Sequence, residues 1–276
     1  GWDGSYRPED EGLPPPNFGS AIGPMALDIA AIQAIYGANM NYHTGNNVYT
    51  LPKTNGAGTG WMCLWDARGI DSIIAPTGTT SNCTIDLRAA TLNPKDGSGA
   101  GGYISFVEGV MGGFTIAHGV VIENAIGGDG FDQLNGNQAN NILNGGKGDD
   151  TLNGFDGDDT LIGGAGVDCL TGGAGRDNFR YDSLSDFGPV SSYETICDFQ
   201  SGQDVIDFSR MGLQTQGPLK LLASTKELKN NGFAQFVLFQ SSQKANFLWA
   251  DFNGDAKIDG QIALLSNTIV ASDIRL

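Results

Sequence analysis

Aspartates held at a fixed distance from glycines are the residues of this chain whose types and spacing could do chemistry. From Gly127 the sequence advances in nine-residue steps: GGDGFDQLN, GNQANNILN, GGKGDDTLN, GFDGDDTLI, GGAGVDCLT and GGAGRDNFR, six units ending at Arg180. Their sixth positions are Asp132, Asn141, Asp150, Asp159, Asp168 and Asp177. Their eighth positions are Leu134, Leu143, Leu152, Leu161, Leu170 and Phe179, all large and apolar. Glycine takes positive φ without steric cost, so the first six residues of a unit can close a tight loop with converging carbonyls. The glycines placed to do so are Gly128 and Gly130; Gly145, Gly146 and Gly148; Gly154 and Gly157; Gly163, Gly164 and Gly166; and Gly172, Gly173 and Gly175. The sixth-position carboxylate adds an anionic oxygen to each cluster. Such a set suits calcium, a hard cation that takes about six to eight oxygen ligands.

One loop cannot supply that many oxygens, so two loops must stack. The last three residues of each unit read as a short strand whose eighth-position side chain points inward. Two units then make one turn of a flattened helix, and unit n lies on unit n+2. In that register Asp132 faces Asp150, Asn141 faces Asp159, Asp150 faces Asp168 and Asp159 faces Asp177. The expectation is about four fully built calcium sites between turns, with partial sites at the ends. Asp150 should serve two of them, and Asp177, in the last unit, only one. A flexible Gly/Asp-rich linker is the competing reading, but a linker has no reason to keep six apolar residues in phase.

Composition narrows the function classes. The chain has 276 residues with 15 Lys and Arg against 31 Asp and Glu, a net charge of −16. That balance leaves no basic footprint for nucleic acid or for an anionic membrane surface. With 40% hydrophobic residues the chain is not a disordered acidic tail. No apolar run approaches the roughly 20 residues that span a bilayer, so membrane insertion is not expected. No basic-then-apolar signal opens the sequence, which places any export address elsewhere. Cys63, Cys83, Cys169 and Cys197 are too few for a disulfide framework, and no CxxC pair suggests zinc. Cys63 and Cys83 fall in strand-like segments that could be neighbours, leaving either one disulfide or free thiols.

The remaining elements must position these loops. Residues 1–24 read as Gly/Pro-rich loop, and residues 25–36 as a helix. Met25, Ile29, Ile32 and Tyr36 fall at helical spacing, Pro24 suits the first turn and Gly37 supplies the stop. Short β-rich runs alternate with Gly and Asn turns over 47–123, and more strands follow residue 180. The fold class expected is all-β: a parallel β-roll flanked by β-sandwich-like strands, with one short N-terminal helix. Near the end, Asp251, Asn253, Asp255 and Asp259 stand at offsets one, three, five and nine. That spacing suits an open calcium loop, with Ala256 where glycine usually makes the bend, or else a polar hairpin turn.

The nonapeptide is similar to the calcium-binding repeat of RTX proteins. Beyond the repeats, the chain resembles the C-terminal part of a serralysin-type metalloprotease of the M10 peptidase group. The segments that carry this are DIAAIQAIYGAN (28–39), WDARGID (65–71), IDLR (85–88), GVVIENAIGG (119–128), DFQSGQDVID (198–207) and the closing DIRL (273–276). The resemblance implies that His43, Gly45 and Asn47 share a calcium site with Asp66, Arg68, Gly69 and Asp71. It implies that Glu123 is a ligand at the entrance of the roll with Gly128, Gly130 and Asp132, the alternative being an ordinary surface glutamate. Asp198 and Asp204 belong to the matching downstream motif. Arg68 stands where the family prefers Gly, and Asn47 and Val121 where it often has Thr.

Serralysin-like enzymes carry HExxHxxGxxH, whose histidines hold zinc and whose glutamate is the general base. This chain has two histidines, His43 and His118, neither in that motif, so neither zinc nor a catalytic residue is expected in it. Ser5 and Tyr6 resemble the end of the turn that follows the zinc helix, with Gly4 in the expected Met position, although Tyr6 also reads as a plain loop residue. The implied organisation is a catalytic-domain remnant over 1–40 and an RTX domain over 41–276, with repeats at 127–180 and a cap with secretion signal at 181–276. The implied cofactor is calcium, several ions. The implied partners are type I secretion machinery and an N-terminal protease domain, at an extracellular location. An adhesin or matrix protein using the same module is the alternative.

Overall fold

The computed structural model of the chain describes residues 18–56, 59–189, 192–240, 246–265 and 269–276. Gly4, Ser5 and Tyr6 lie outside the described residues. Each nonapeptide contributes one strand: Gln133–Asn137, Ile142–Lys147, Thr151–Asp156, Thr160–Ala165, Cys169–Ala174 and Asn178–Arg180. Pairing is parallel and skips one unit. Leu134 sits beside Leu152 and Leu152 beside Leu170 on one face; Leu143 sits beside Leu161 and Leu161 beside Phe179 on the other. Alternate units therefore build opposite walls of a flattened coil of chain, and unit n rests on unit n+2. All six eighth-position side chains are at most 1% exposed.

The flanking strands lengthen these same two walls. Among the described residues one sheet has 13 strands and the other 8. Cys83–Asp86 pairs beneath the first repeat strand, and Glu194–Ile196 above the fifth, followed by Gly260–Leu264. On the opposite wall Val48–Thr50, Ser72–Ile74 and Asn124–Ile126 precede the repeats, while Val205–Asp207 and Ile274–Arg275 follow them. The core is thus two facing stacks. Ile85, Leu134, Leu152, Leu170, Ile196 and Leu264 form one; Ile73, Ala125, Leu143, Leu161, Phe179 and Ile206 form the other. An open parallel stack would leave a raw edge at its end. Here the antiparallel strands Gln235–Gln240 and Asn246–Asp251 and an aromatic cluster of Tyr181, Phe187, Phe208, Phe236 and Phe252 cover it.

The helix runs Ala26–Tyr36, opened by Met25, whose N–H donates to the Asp28 carboxylate, and closed by Gly37 at φ 79°. Met25 and Ile29 pack on the core, but the rest of the expected inner face does not: Ile32 is 53% and Tyr36 82% exposed. A hollow of about 550 Å³ lined by Ile29, Ile32, Met62 and Trp65 separates this part of the helix from strand Thr59–Leu64. Cys63 and Cys83 are not neighbours either. Strands Gly113–Ile116 and Ser105–Val107 stand between theirs in the sheet, and all four cysteines are free thiols. A later hairpin inserts between two strands that are close in sequence, which spacing alone does not reveal.

Candidate metal centre

Stacking turns the sixth-position residues into two ladders. On one wall the Cys83 N–H donates to Asp132 Oδ1 (2.6 Å), the Asp132 N–H to Asp150 Oδ1 (2.7 Å) and the Asp150 N–H to Asp168 Oδ1 (2.8 Å). The ladder does not stop with the repeats, because the Asp168 N–H donates to Glu194 Oε2 (3.0 Å). On the other wall the Asn47 N–H donates to Asp71 Oδ1 (2.7 Å) and the Asp71 N–H to Glu123 Oε2 (2.7 Å). Further along, the Asn141 N–H donates to Asp159 Oδ1 (2.7 Å), Asp159 N–H to Asp177 Oδ1 (3.0 Å) and Asp177 N–H to Asp204 Oδ1 (3.0 Å). Asp177 is therefore an interior rung of the hydrogen-bond ladder, with Asp204 above it.

Glu194 was not foreseen from the period. Its signal is the spacing of an acid two residues before an inward apolar side chain, which Glu194 and Ile196 share with Asp204 and Ile206, Asp71 and Ile73, and Glu123 and Ala125. Insertions before each pair break the count of nine, and the sheet restores it.

The other oxygen of these carboxylates is the informative one. Oδ2 of Asp150, Asp159, Asp168 and Asp177 and Oε1 of Glu194 are buried and receive no hydrogen bond. A buried anionic oxygen without a donor or counter-ion is costly, so each such atom calls for a partner. Carbonyl oxygens stand beside those of Asp150 and Asp159. A Cβ on Gly145 would run into Asp150 Oδ2 and stand 2.6 Å from the Gly163 carbonyl; one on Gly154 would stand 2.5 Å from the Gly172 carbonyl. At Gly164, with φ 101°, a Cβ would collide with the Gly146 carbonyl. Glycine thus keeps open a cradle walled by one carboxylate oxygen and carbonyls of two stacked loops. A cavity lined by oxygens without donors fits a hard cation and offers nothing to a soft one.

Among the described residues no three His, Cys, Asp or Glu side chains gather as a metal-holding group. Without a cation the carboxyls are pushed toward their neutral form. Burial first, then neighbouring carboxylates, raises Asp150 to about 8, Asp159 and Asp168 to about 7, Asp177 to about 6 and Glu194 to about 9.

The second unit is built differently. Asn141 Oδ1 accepts from the Asn137 N–H (2.8 Å), and its amide nitrogen donates to the Glu123 carbonyl (3.0 Å). Asn137 in turn donates to the carbonyls of Leu87 (3.1 Å) and Ile122 (2.8 Å). Side-chain N–H groups here answer carbonyls that a cation could answer elsewhere.

The two loops expected to share a site before the repeats are brought together. The His43 carbonyl accepts the N–H of Ala67 and Arg68, and a Cβ on Gly69, at φ 141°, would collide with the Gly45 carbonyl. Asp66 is buried and accepts from the Tyr49 hydroxyl (2.6 Å) and the Arg68 N–H (3.2 Å), while burial raises Asp71. Asp198 accepts the N–H of Gly172 (2.9 Å) and Gly173 (2.8 Å), clasping the sixth loop. In the Asp251 turn the oxygens are engaged locally. Asp251 accepts the N–H of Gly254, Asp255 and Ala256, Asp259 accepts from Phe252 and Asn253, and Asp255 pairs with Lys257.

Fold and site together define a parallel β-roll whose stacked loops present unpartnered carboxylate oxygens. Residues 26–276 match the family model described as Peptidase M10 serralysin C terminal, and the chain belongs to that family. It is 38% identical over 263 residues to Serralysin B of Dickeya chrysanthemi, covering 92% of this chain and 49% of that protein. To Serralysin of Proteus mirabilis it is 40% identical over 250 residues, 86% of this chain and 48% of that one. The chain thus spans about half the length of the curated relatives it matches. A solution structure of the AlgE6R3 subunit of the Azotobacter vinelandii mannuronan C5-epimerase aligns at 27% identity, over 57% of this chain and 81% of that one, with a TM-score of 0.40.

Proposed function

We propose that this chain is a calcium-triggered folding module: an extracellular β-roll that couples calcium binding to folding and to type I export. The observation that carries the reading is the set of five buried carboxylate oxygens with no hydrogen-bond partner, with stacked-loop glycine carbonyls beside those of Asp150 and Asp159. Asp132, Asp150, Asp159, Asp168, Asp177, Glu194 and Asp204 would hold the ions with the carbonyls of their own and stacked loops. Glu123 and Asp71, with the His43–Asn47 loop, would hold those before the repeats. Bound calcium supplies the positive charge that offsets the buried carboxylates.

The magnitudes make folding conditional. At ~1 mM calcium and a site Kd near 10⁻⁴ M, each ion adds about 1.4 kcal/mol. Four to seven ions would add roughly 6–10 kcal/mol, comparable to the whole net stability of a domain. At sub-micromolar cytosolic calcium the same sites add almost nothing, and the chain stays unfolded and exportable. The module would stabilise an N-terminal zinc metalloendopeptidase domain, with residues 1–40 as the end of that domain and 41–276 as the module. This chain itself would hold no zinc and cleave no peptide. His43 bonds the Tyr49 hydroxyl and His118 the Ala90 carbonyl.

Circular dichroism in EGTA, then after adding calcium or magnesium, tests the reading. Loss of the β signal in EGTA and its return with millimolar calcium but not magnesium is expected, because magnesium demands a small octahedral shell. An unchanged signal in EGTA, with elemental analysis showing no retained calcium, overturns it.

A further inference from the structure

We propose that Cys169 and Cys197 are the two halves of a disulfide that staples the last repeats to the cap once the roll has folded. Their sulfurs lie 3.2 Å apart, yet the residues are separated by 28 positions in sequence. The register explains the approach. Cys169 opens strand Cys169–Ala174 and stands beside Thr195 of strand Glu194–Ile196. Two residues beyond Thr195, Cys197 points to the same face, and its N–H donates to the Leu170 carbonyl at 2.8 Å. Each sulfur therefore hangs from backbone already fixed in the stack. Closing the bond requires the sulfurs to approach by about 1 Å, to the ~2.05 Å of a disulfide.

The other two thiols differ on both counts. Cys63 is 7% and Cys83 2% exposed, and two strands separate them. Cys169 and Cys197 are half-buried, so a small oxidant can reach them. The bond forms by exchange with an extracellular low-molecular-weight disulfide. One cysteine thiolate attacks a sulfur of that disulfide and expels a thiolate, giving a mixed disulfide. The second cysteine thiolate attacks the protein sulfur of the mixed disulfide and expels the other half. The protein loses two protons and two electrons; the external disulfide gains them as two thiols. The closed loop encloses the sixth unit with Asp177 and ends beside Asp198, so the staple ties the end of the ladder to the strands that cap it.

This pairing rests on strand register and not on the calcium reading. The test incubates the whole chain, folded in calcium, with oxidised glutathione. The expected result is loss of two of the four thiols, a mass lower by two hydrogens without a glutathione adduct, and a peptide map joining Cys169 to Cys197. The calcium midpoint for folding should then fall roughly threefold, through the restricted unfolded chain, and reductant should restore it. Cys169→Ser and Cys197→Ser, each checked for unchanged circular dichroism in calcium, should show no bond and no shift. Four persistent thiols, stable glutathione adducts at both positions, or a map joining other cysteines overturns the pairing. A bond that forms and leaves the midpoint unmoved overturns the stapling role. A β signal that survives EGTA would sink the calcium reading alone, and a urea midpoint then reports the staple in place of the calcium midpoint.

Discussion

The second nonapeptide loop and the four that follow it share a strand register but differ in loop path and filling: positions two and four take positive φ in the third to sixth units and not at Asn137 and Ala139. In the second, Asn137 and Asn141 turn amide N–H groups toward the carbonyls of Leu87, Ile122 and Glu123. In the third to sixth, one oxygen each of Asp150, Asp159, Asp168 and Asp177 is buried without a donor, and those of Asp150 and Asp159 stand beside stacked-loop carbonyls. In the second loop the Asn137 N–H also reaches the Asn141 oxygen, so loop path and side-chain type both separate the two loop kinds. Exchanging carboxylate and amide tests how much of the difference the side chain carries.

The largest effect expected is that of pH on the calcium-free fold. Asp150, Asp159, Asp168, Asp177 and Glu194 have raised pKa values there, between about 6 and about 9. The folded state therefore binds more protons than the unfolded one. Their contribution to stability is fully present below the unfolded carboxylate range, near pH 4, and is lost as pH rises through roughly 6 to 9. In EGTA, acidification from pH 9 to pH 5 should restore β signal. In millimolar calcium the same acidification should release ions, since protons and calcium compete for the same oxygens. A calcium-free β signal that grows toward alkaline pH would break the account.

Next in size is Gly164→Ala, which places a methyl against the Gly146 carbonyl at a φ of 101°. A loss of about 3 kcal/mol or more is expected by urea unfolding, and it should persist at saturating calcium. The reciprocal exchange of the two loop types is smaller and more pointed. Asp159→Asn keeps the acceptor for the Asn141 N–H and turns the orphan oxygen into a donor. At ~1 mM calcium it should lower stability by about 1.4–3 kcal/mol through one or two weakened ions, and in EGTA raise it by about 1 kcal/mol. Asn141→Asp should cost about 1–3 kcal/mol in EGTA without adding an ion, because the Asn137 amide still occupies that loop. Equal shifts with and without calcium would mean that the two loops do not differ in the way proposed.

The smallest effect concerns Phe155, a non-glycine at φ 74° in the position that four of the other five units give to glycine. Its ring lies 5.0 Å from the Arg88 guanidinium. Phe155→Gly relieves backbone strain but loses this contact and adds unfolded-chain entropy, so stability should stay within about 0.5 kcal/mol of the parent. A thermal melt measures it.

The local period of nine, the inward Leu at each eighth position and the carboxylate at each sixth are written in consecutive residues. They were enough to determine the parallel roll, the n to n+2 register and the calcium chemistry expected of Asp132, Asp150, Asp159, Asp168 and Asp177. Composition and order carry that much because a repeat's neighbours in space are fixed by its neighbours in sequence. Outside the repeats this link is cut by insertions of unequal length. Only the sheet brings Glu194 and Asp204 onto the ladders, makes Asp177 an interior rung, and interposes two strands between Cys63 and Cys83. The sheet also sets Cys169 against Cys197 across 28 residues, and leaves Ile32 and Tyr36 of the helix facing outward. Each of these depends on which strand lies beside which, and hydrogen bonds between distant segments decide that, not the pattern within any one of them.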